Sequence, residues 1–202
     1  MINLDKSSLV GKGHHRECYR HPENKNLCIK VVVSGNADES QREKRYCRHL
    51  EKRGISWDMI PKFYGDIETN LGLGSVFDLV LDHDGVVSKT LEYYLSSNKK
   101  TEEHYDGLSN SLYLLKDYLL QQQIITMTLQ PKNISCKKIK SGSFRLFVID
   151  NIGNSDFIQI CSYSKYFAKK KMLRKWKRFE NGMLNNYKHN KALHRMLTCL
   201  HR

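Results

Sequence analysis

The sequence predicts an α+β chain in two lobes, a small β-rich N-terminal lobe and a mostly helical C-terminal one. Three observations carry this. Two apolar, β-prone runs, Leu27 to Val33 and Ser75 to Leu81, flank one charged segment with helical periodicity. Leu108, Leu112, Leu115 and Leu119 recur at spacings of four, three and four, which is one face of a helix. Beyond Gly153, Met172, Trp176, Phe179, Met183 and Tyr187 form a second such stripe on a strongly basic segment.

A chain of 202 residues, 40% of them apolar, is enough to bury a core as one domain or two tightly joined lobes. The turn-like Asp82-His83-Asp84-Gly85 suits a hinge and divides the chain into an N-lobe of residues 1–83 and a C-lobe of residues 84–202. No run approaches the roughly 18 apolar residues of a membrane span. The start, MINLDKSSLVGKG, has no apolar signal core, so a cytoplasmic location is expected. The six cysteines, Cys18, Cys28, Cys47, Cys136, Cys161 and Cys199, form no C-x-x-C pair. They are expected as small reduced core residues rather than as a zinc knuckle or redox motif. The net charge of +13 attracts anions: nucleotides, anionic lipid, nucleic acid and phosphorylated glycans. Much of it lies in Lys165, Lys169, Lys170, Lys171, Arg174, Lys175, Lys177 and Arg178, a stretch without an acid.

The elements follow in order. In the charged helix between the two β-prone runs, Ser40 and Glu43 have capping-box spacing, Tyr46, Cys47 and Leu50 make the apolar stripe, and Gly54 marks the stop. The leucine helix runs to Gln123. A short strand signal, Ile124-Ile125, comes next, then a proline-containing loop. Two β-prone runs, Asn133 to Cys136 and Phe144 to Asp150, are joined by Ser141-Gly142-Ser143 and predict a hairpin with polar ends.

Several residues could carry chemistry. Gly11-Lys12-Gly13 leaves backbone N–H groups free to approach phosphates, and two close glycines equally suit a hairpin turn; no G-K-[ST] follows at Walker A spacing. Lys30 stands inside an apolar strand, either as a solvated surface lysine or as a phosphate ligand. Glu43, thirteen residues on, is the carboxylate that could orient it, with Glu39 as the alternative. Asn133 and Asp150 stand at the polar ends of the predicted hairpin. An amide oxygen and a carboxylate are groups with which Mg²⁺ is held when nucleotide phosphates complete its shell. Each alone also suits a turn.

Taken together, Gly11-Lys12-Gly13-His14-His15-Arg16-x-Cys18-Tyr19, Cys28-Ile29-Lys30, Arg42-Glu43, Asp82-His83-Asp84-Gly85, Thr126-Met127-Thr128-Leu129-Gln130-Pro131-Lys132-Asn133-Ile134 and Asp150-Asn151-Ile152-Gly153 resemble the YrbL-type PhoP regulatory network proteins. The likeness extends over nearly the whole chain, to Trp176-Lys177-Arg178-Phe179. That family is itself similar in fold to protein kinases and bacterial lipopolysaccharide kinases. The resemblance implies a reduced bilobal protein-kinase-like fold binding ATP and Mg²⁺ between the lobes. Gly11 and Gly13 would cover the phosphates, and Lys30 would hold them with Glu43 orienting it. Asp82 and Asp84 would join the cofactor site from the hinge, while Asn133 and Asp150 would bind the metal.

The sequence departs from an active kinase at Thr128, which stands where kinases carry the aspartate that accepts the substrate proton. Threonine is no general base near neutral pH, and losing such a base costs about 10² to 10⁴ in rate. Positioning and charge stabilisation supply most phosphoryl-transfer catalysis and survive that loss. Asp84 or His83 could replace the base, or simply form the turn. Arg16 replaces the third glycine. No Ala-Pro-Glu anchor is recognisable, and only 49 residues follow Gly153.

The expected function is therefore an atypical phosphotransferase acting on a glycan, a lipid-linked sugar or a small molecule. The alternative is an inactive pseudokinase serving as a regulatory binding module, and a nucleotidyl transferase is a third possibility. Thr128 favours the binding module; retention of Lys30, Asn133 and Asp150 favours transfer. Expected partners are a nucleotide, an anionic acceptor such as lipopolysaccharide or a phosphorylated glycan, and a regulatory protein. Nucleic acid is disfavoured, because charge permits it but no recognition motif supports it. The basic terminal helix is either a solvated face closing the C-lobe or a dock for anionic lipid, which would place the protein peripherally at the inner membrane.

Overall fold

A computed structural model describes residues 1–35, 38–140, 142–153 and 165–199. Strands β1 (Leu9–Lys12), β2 (Arg16–Arg20), β3 (Leu27–Val32), β4 (Phe63–Thr69) and β5 (Gly72–Asp78) form one antiparallel sheet in the order β1-β2-β3-β5-β4. Helix α1 (Asp38–Lys52) connects β3 to β4. Alternation along β3 decides its two faces. Ile29 and Val31 pack with Leu4, Tyr19 and Val76, whereas Cys28 packs with Phe63, Phe77 and Cys47 of α1. Lys30, in phase with Cys28, therefore points to the α1 side. The sheet is tightly closed at Gly74, where a Cβ would meet Ile29 Cγ2 at 2.4 Å.

Helices α2 (Leu91–Leu95), α3 (Asn98–Glu103), α4 (Tyr105–Gln121), α5 (Lys165–Asn186) and α6 (Lys191–Cys199) surround the hairpin β6 (Ile134–Lys138) and β7 (Phe144–Val148). Their core is continuous. Leu108, Leu112, Leu115 and Leu119 of α4 are wholly buried and pack in one cluster with Ile134, Leu146 and Val148 of the hairpin and Met172, Trp176, Phe179 and Met183 of α5. The leucine helix, the hairpin and the α5 stripe thus form as their periodicity predicts, with Tyr187 half-buried against the same core. Gly54 follows α1 with φ +64°, a left-handed position that favours glycine and ends the helix.

Some expectations are corrected. Ser40 is not a helix cap, because α1 already contains it two residues from Asp38; the Glu43 carboxylate is bonded to Arg16 and to the Ile152 amide instead. Ile124 and Ile125 form no strand, since the Ile124 amide bonds the Leu119 carbonyl and the Ile125 amide bonds the Tyr46 hydroxyl. Only an isolated bridge, Thr126 with Ile152, remains there. The basic run is not uniformly solvated: Lys169, Lys170, Arg174, Lys177 and Arg178 are exposed, but Lys171 is buried and Lys175 half-buried. Cys28, Cys47 and Cys136 are free and buried, and Cys18 is free and half-buried. Ser141, Cys161 and the side chains of Lys165 and Cys199 lie outside the described residues. Among those described, no helix is long and apolar enough to cross a membrane.

Candidate functional site

The sheet meets the hairpin at a cluster of charged side chains. The Lys30 ammonium donates to the Ile149 carbonyl at 2.6 Å and stands 4.5 Å from the centre of the Phe77 ring. The next residue is Asp150. On the hairpin, the β6–β7 pairing of Ile134 with Val148 is extended by the Ile149 amide bonding the Asn133 carbonyl at 2.9 Å. Asn133 is consequently set across from Ile149 and beside Asp150, buried, while Asp150 is half-buried.

Arg16 joins this group from β2. One guanidinium nitrogen lies 2.5 Å from Glu43 of α1, and another is paired with Asp150. The second Glu43 oxygen accepts the Ile152 amide at 3.3 Å. Burial pushes the Glu43 carboxyl up, but the charges of Lys30 and Arg16, with the hydrogen bonds from Arg16 and Ile152, outweigh burial and hold it below the usual glutamate range. Glu43 is thus charged although only 1% of it is exposed. Its ion-pair partner is Arg16; Lys30 acts on it as a neighbouring charge.

The segment containing Thr128 is bound to the segment after Asp150. The Met127 amide bonds the Asn151 carbonyl at 2.7 Å and the Gly153 amide bonds the Ile125 carbonyl at 2.9 Å. Asn151 takes φ +60°, a left-handed conformation that asparagine tolerates, and its amide bonds the Asp150 carboxylate at 3.0 Å. Thr128 is exposed beside this junction, and Lys175 of α5 donates to the Met127 carbonyl. The Thr126 hydroxyl is buried and has no hydrogen-bond partner among the described residues.

Lys30, Glu43, Asn133 and Asp150, distant in sequence, are therefore gathered at one junction. Gly11 ends up in β1, and Gly13 closes the β1–β2 turn, its amide bonding the Arg16 carbonyl at 2.7 Å. The two glycines thus form a hairpin whose return strand delivers Arg16. Asp82 and Asp84 are not brought to the junction. Asp82 accepts the Lys138 amide at 2.8 Å and the Ser88 hydroxyl at 2.5 Å, at the opposite end of the hairpin from Asn133. Five residues of strand, about 16 Å, separate those ends. Asp84 accepts the Val86 amide at 3.0 Å within its own exposed turn. Both carboxylates stabilise that turn.

Sequence reasoning noted Arg16 only as the residue replacing a glycine, and it missed the anchoring role of Lys175. The arginine standing at the third glycine position was the available signal. Among the described residues no group of three or more His, Cys, Asp and Glu side chains is gathered for a metal. A carboxylate with an amide oxygen is nevertheless a donor set that fits Mg²⁺ when phosphate oxygens and water complete the shell.

Residues 2–184 match the sequence model of a family described as PhoP regulatory network protein YrbL. The chain is 40% identical over 182 residues to protein YrbL of Escherichia coli (strain K12), a match covering 89% of this chain and 86% of that one. YrbL of Shigella flexneri matches with the same identity and coverage.

Proposed function

This chain belongs to the PhoP regulatory network protein YrbL family, and from that membership and the junction's geometry we propose that it binds ATP with Mg²⁺ between a kinase-like N-lobe, residues 1–83, and a reduced C-lobe, residues 84–202. The observation that carries this reading is the meeting of Lys30 with the segment ending in Asp150, beside a buried, charged Glu43. A lysine, a helix carboxylate and a carboxylate–amide pair are the groups a phosphoryl-transfer site requires. Lys30 would hold phosphate oxygens, Glu43 would orient Lys30, and Asp150 with Asn133 would hold the metal. Bound Mg²⁺ would neutralise charge on the phosphates.

With Thr128 at the position of the usual base, transfer would depend on positioning and charge rather than on proton abstraction, and would be slow. The acceptor class we favour is anionic: a glycan, a lipid-linked sugar or a small molecule drawn by the exposed cations of α5. A second reading, a regulatory module that binds nucleotide without transfer, is favoured by the pairing of Asp150 with Arg16.

The test is the thermal shift of the purified protein with ATP, with and without Mg²⁺, against Asp150→Ala. A ligand at one hundred times its Kd adds about 2.7 kcal/mol of stability. A Mg²⁺-dependent shift that the substitution abolishes is expected. No shift at millimolar nucleotide would sink the reading. ADP formation would then separate the transferase from the binding module.

A further inference from the structure

Arg16 is placed where a metal-binding carboxylate would need to be free. Its side chain is 14% exposed, and its guanidinium lies between Glu43 and Asp150, paired with both. Lys30, a second cation beside Glu43, donates to the Ile149 carbonyl and acts on Glu43 through its charge. A guanidinium and a divalent cation cannot share Asp150 without bringing like charges within a few ångströms in a partly buried site, where screening by water is weak. One of them must leave.

We infer that in the ligand-free protein Arg16 occupies the position a divalent cation takes at Asp150, so that Arg16 and the metal exclude each other and Arg16 sets the metal affinity of the site. The inference rests on the nucleotide reading above for its physiological meaning. Its structural content is a partner exchange. When Arg16 turns away, Glu43 keeps the Ile152 amide and is compensated by Lys30, whose charge already acts on it. Arg16 then has donors to satisfy, and the acceptors that arrive with the metal are nucleotide phosphate oxygens, which match a guanidinium fork. Metal alone displaces Arg16 poorly because it brings the guanidinium no new acceptor. Metal and nucleotide together supply one, so they bind cooperatively. Arg16 is a positioning residue in this scheme.

Calorimetric titration with Mn²⁺, in the presence and absence of ATP, tests it on wild type, Arg16→Gln and Arg16→Lys. Glutamine retains bulk and a donor for Glu43 but removes the charge. Arg16→Gln is expected to bind Mn²⁺ alone at least tenfold more tightly than wild type, Arg16→Lys to be intermediate, and adding Asp150→Asn to Arg16→Gln to abolish the gain. No tightening, including no measurable binding to either protein, overturns the inference. In wild type itself, so that no variant need fold, the Arg16 Nε–H signal in the nitrogen-15 spectrum should move when Mg²⁺ and ATP are added together. A signal that stays fixed while nucleotide binds elsewhere in the spectrum also overturns it. Tighter Mn²⁺ binding by Arg16→Gln with no ATP binding to any of the three would sink the nucleotide reading and leave the competition standing; ATP binding with unchanged Mn²⁺ affinity would do the reverse.

Discussion

Lys30 in β3 and Ile149 at the end of the hairpin are joined by a 2.6 Å bond from ammonium to carbonyl, across 119 residues of chain. This bond ties the sheet to the backbone that carries Asp150. Lys30→Met keeps the apolar stem, removes the donor and takes a compensating charge from Glu43. It is expected to lower stability by about 1–3 kcal/mol, the range for a buried group left without its charged partner. Urea denaturation measures this, and an unchanged midpoint would mean that the bond does not form in solution. The ATP-induced thermal shift should also disappear.

Glu43 is expected to make acid sensitivity measurable. Its folded carboxyl is held below the ordinary value by Lys30 and Arg16 in spite of burial, so its stabilisation is complete above the unfolded value of about 4.3 and is lost as pH falls through the lower folded value. Glu43→Gln should cost about 3–5 kcal/mol at neutral pH, as removal of one partner from a buried ion pair does. The gap between wild type and variant should narrow below about pH 4. Urea melts at a series of pH values provide the check; a gap independent of pH would show that Glu43 is not an ionised partner of Arg16.

Tyr46 links α1 to the segment leading to Thr128, because its hydroxyl accepts the Ile125 amide at 2.9 Å in a buried setting. Tyr46→Phe preserves the ring and leaves that N–H without an acceptor. A loss of about 1–3 kcal/mol is expected. Hydrogen exchange at the Ile125 amide should accelerate more than exchange along α4. Equal acceleration throughout would point to a global effect rather than a local bond.

Among the four cysteines whose side chains are described, Cys18 is expected to react first. Cys18 is half-buried where the other three are buried, and the neighbouring Cys28 thiol, with the charges of Lys30 and Arg16, holds its pKa below the usual value despite burial. Burial pushes Cys47 up to about 12 and raises Cys136 as well, while the neighbouring Cys18 thiol, with burial, raises Cys28. Cys18 faces Lys30 in the β2–β3 register, so Mg²⁺ with ATP should slow its alkylation. Peptide mass spectrometry after brief iodoacetamide treatment would show this. Earlier labelling of Cys28, Cys47 or Cys136 would contradict the ordering.

The amino-acid sequence alone was enough to place α4, the β6–β7 hairpin and the apolar face of α5, since each is written as a local period that burial enforces. It also offered Lys30, Glu43, Asn133 and Asp150 as candidates, from their residue types and their order along the chain. It did not reveal β1, β2 or β4. β1 is almost wholly exposed and β2 mostly half-buried, and β4 alternates between inward and exposed positions but places Gly65 and Thr69 among the inward ones in place of large apolar residues. Their pairing in the sheet, rather than an apolar period of their own, defines them.

Tertiary structure decided the partners. Glu43 and Ser40 have the spacing of a helix cap, yet the carboxylate is bonded to Arg16, 27 residues away, and to the Ile152 amide, 109 residues away. Asp82 resembled a cofactor ligand and instead holds the far end of the hairpin. Burying a carboxylate demands a cation or a donor within bonding distance, and which one lies there depends on strand register and on how the sheet meets the hairpin. Local sequence specifies which groups need partners, whereas long-range packing decides which partner each one meets.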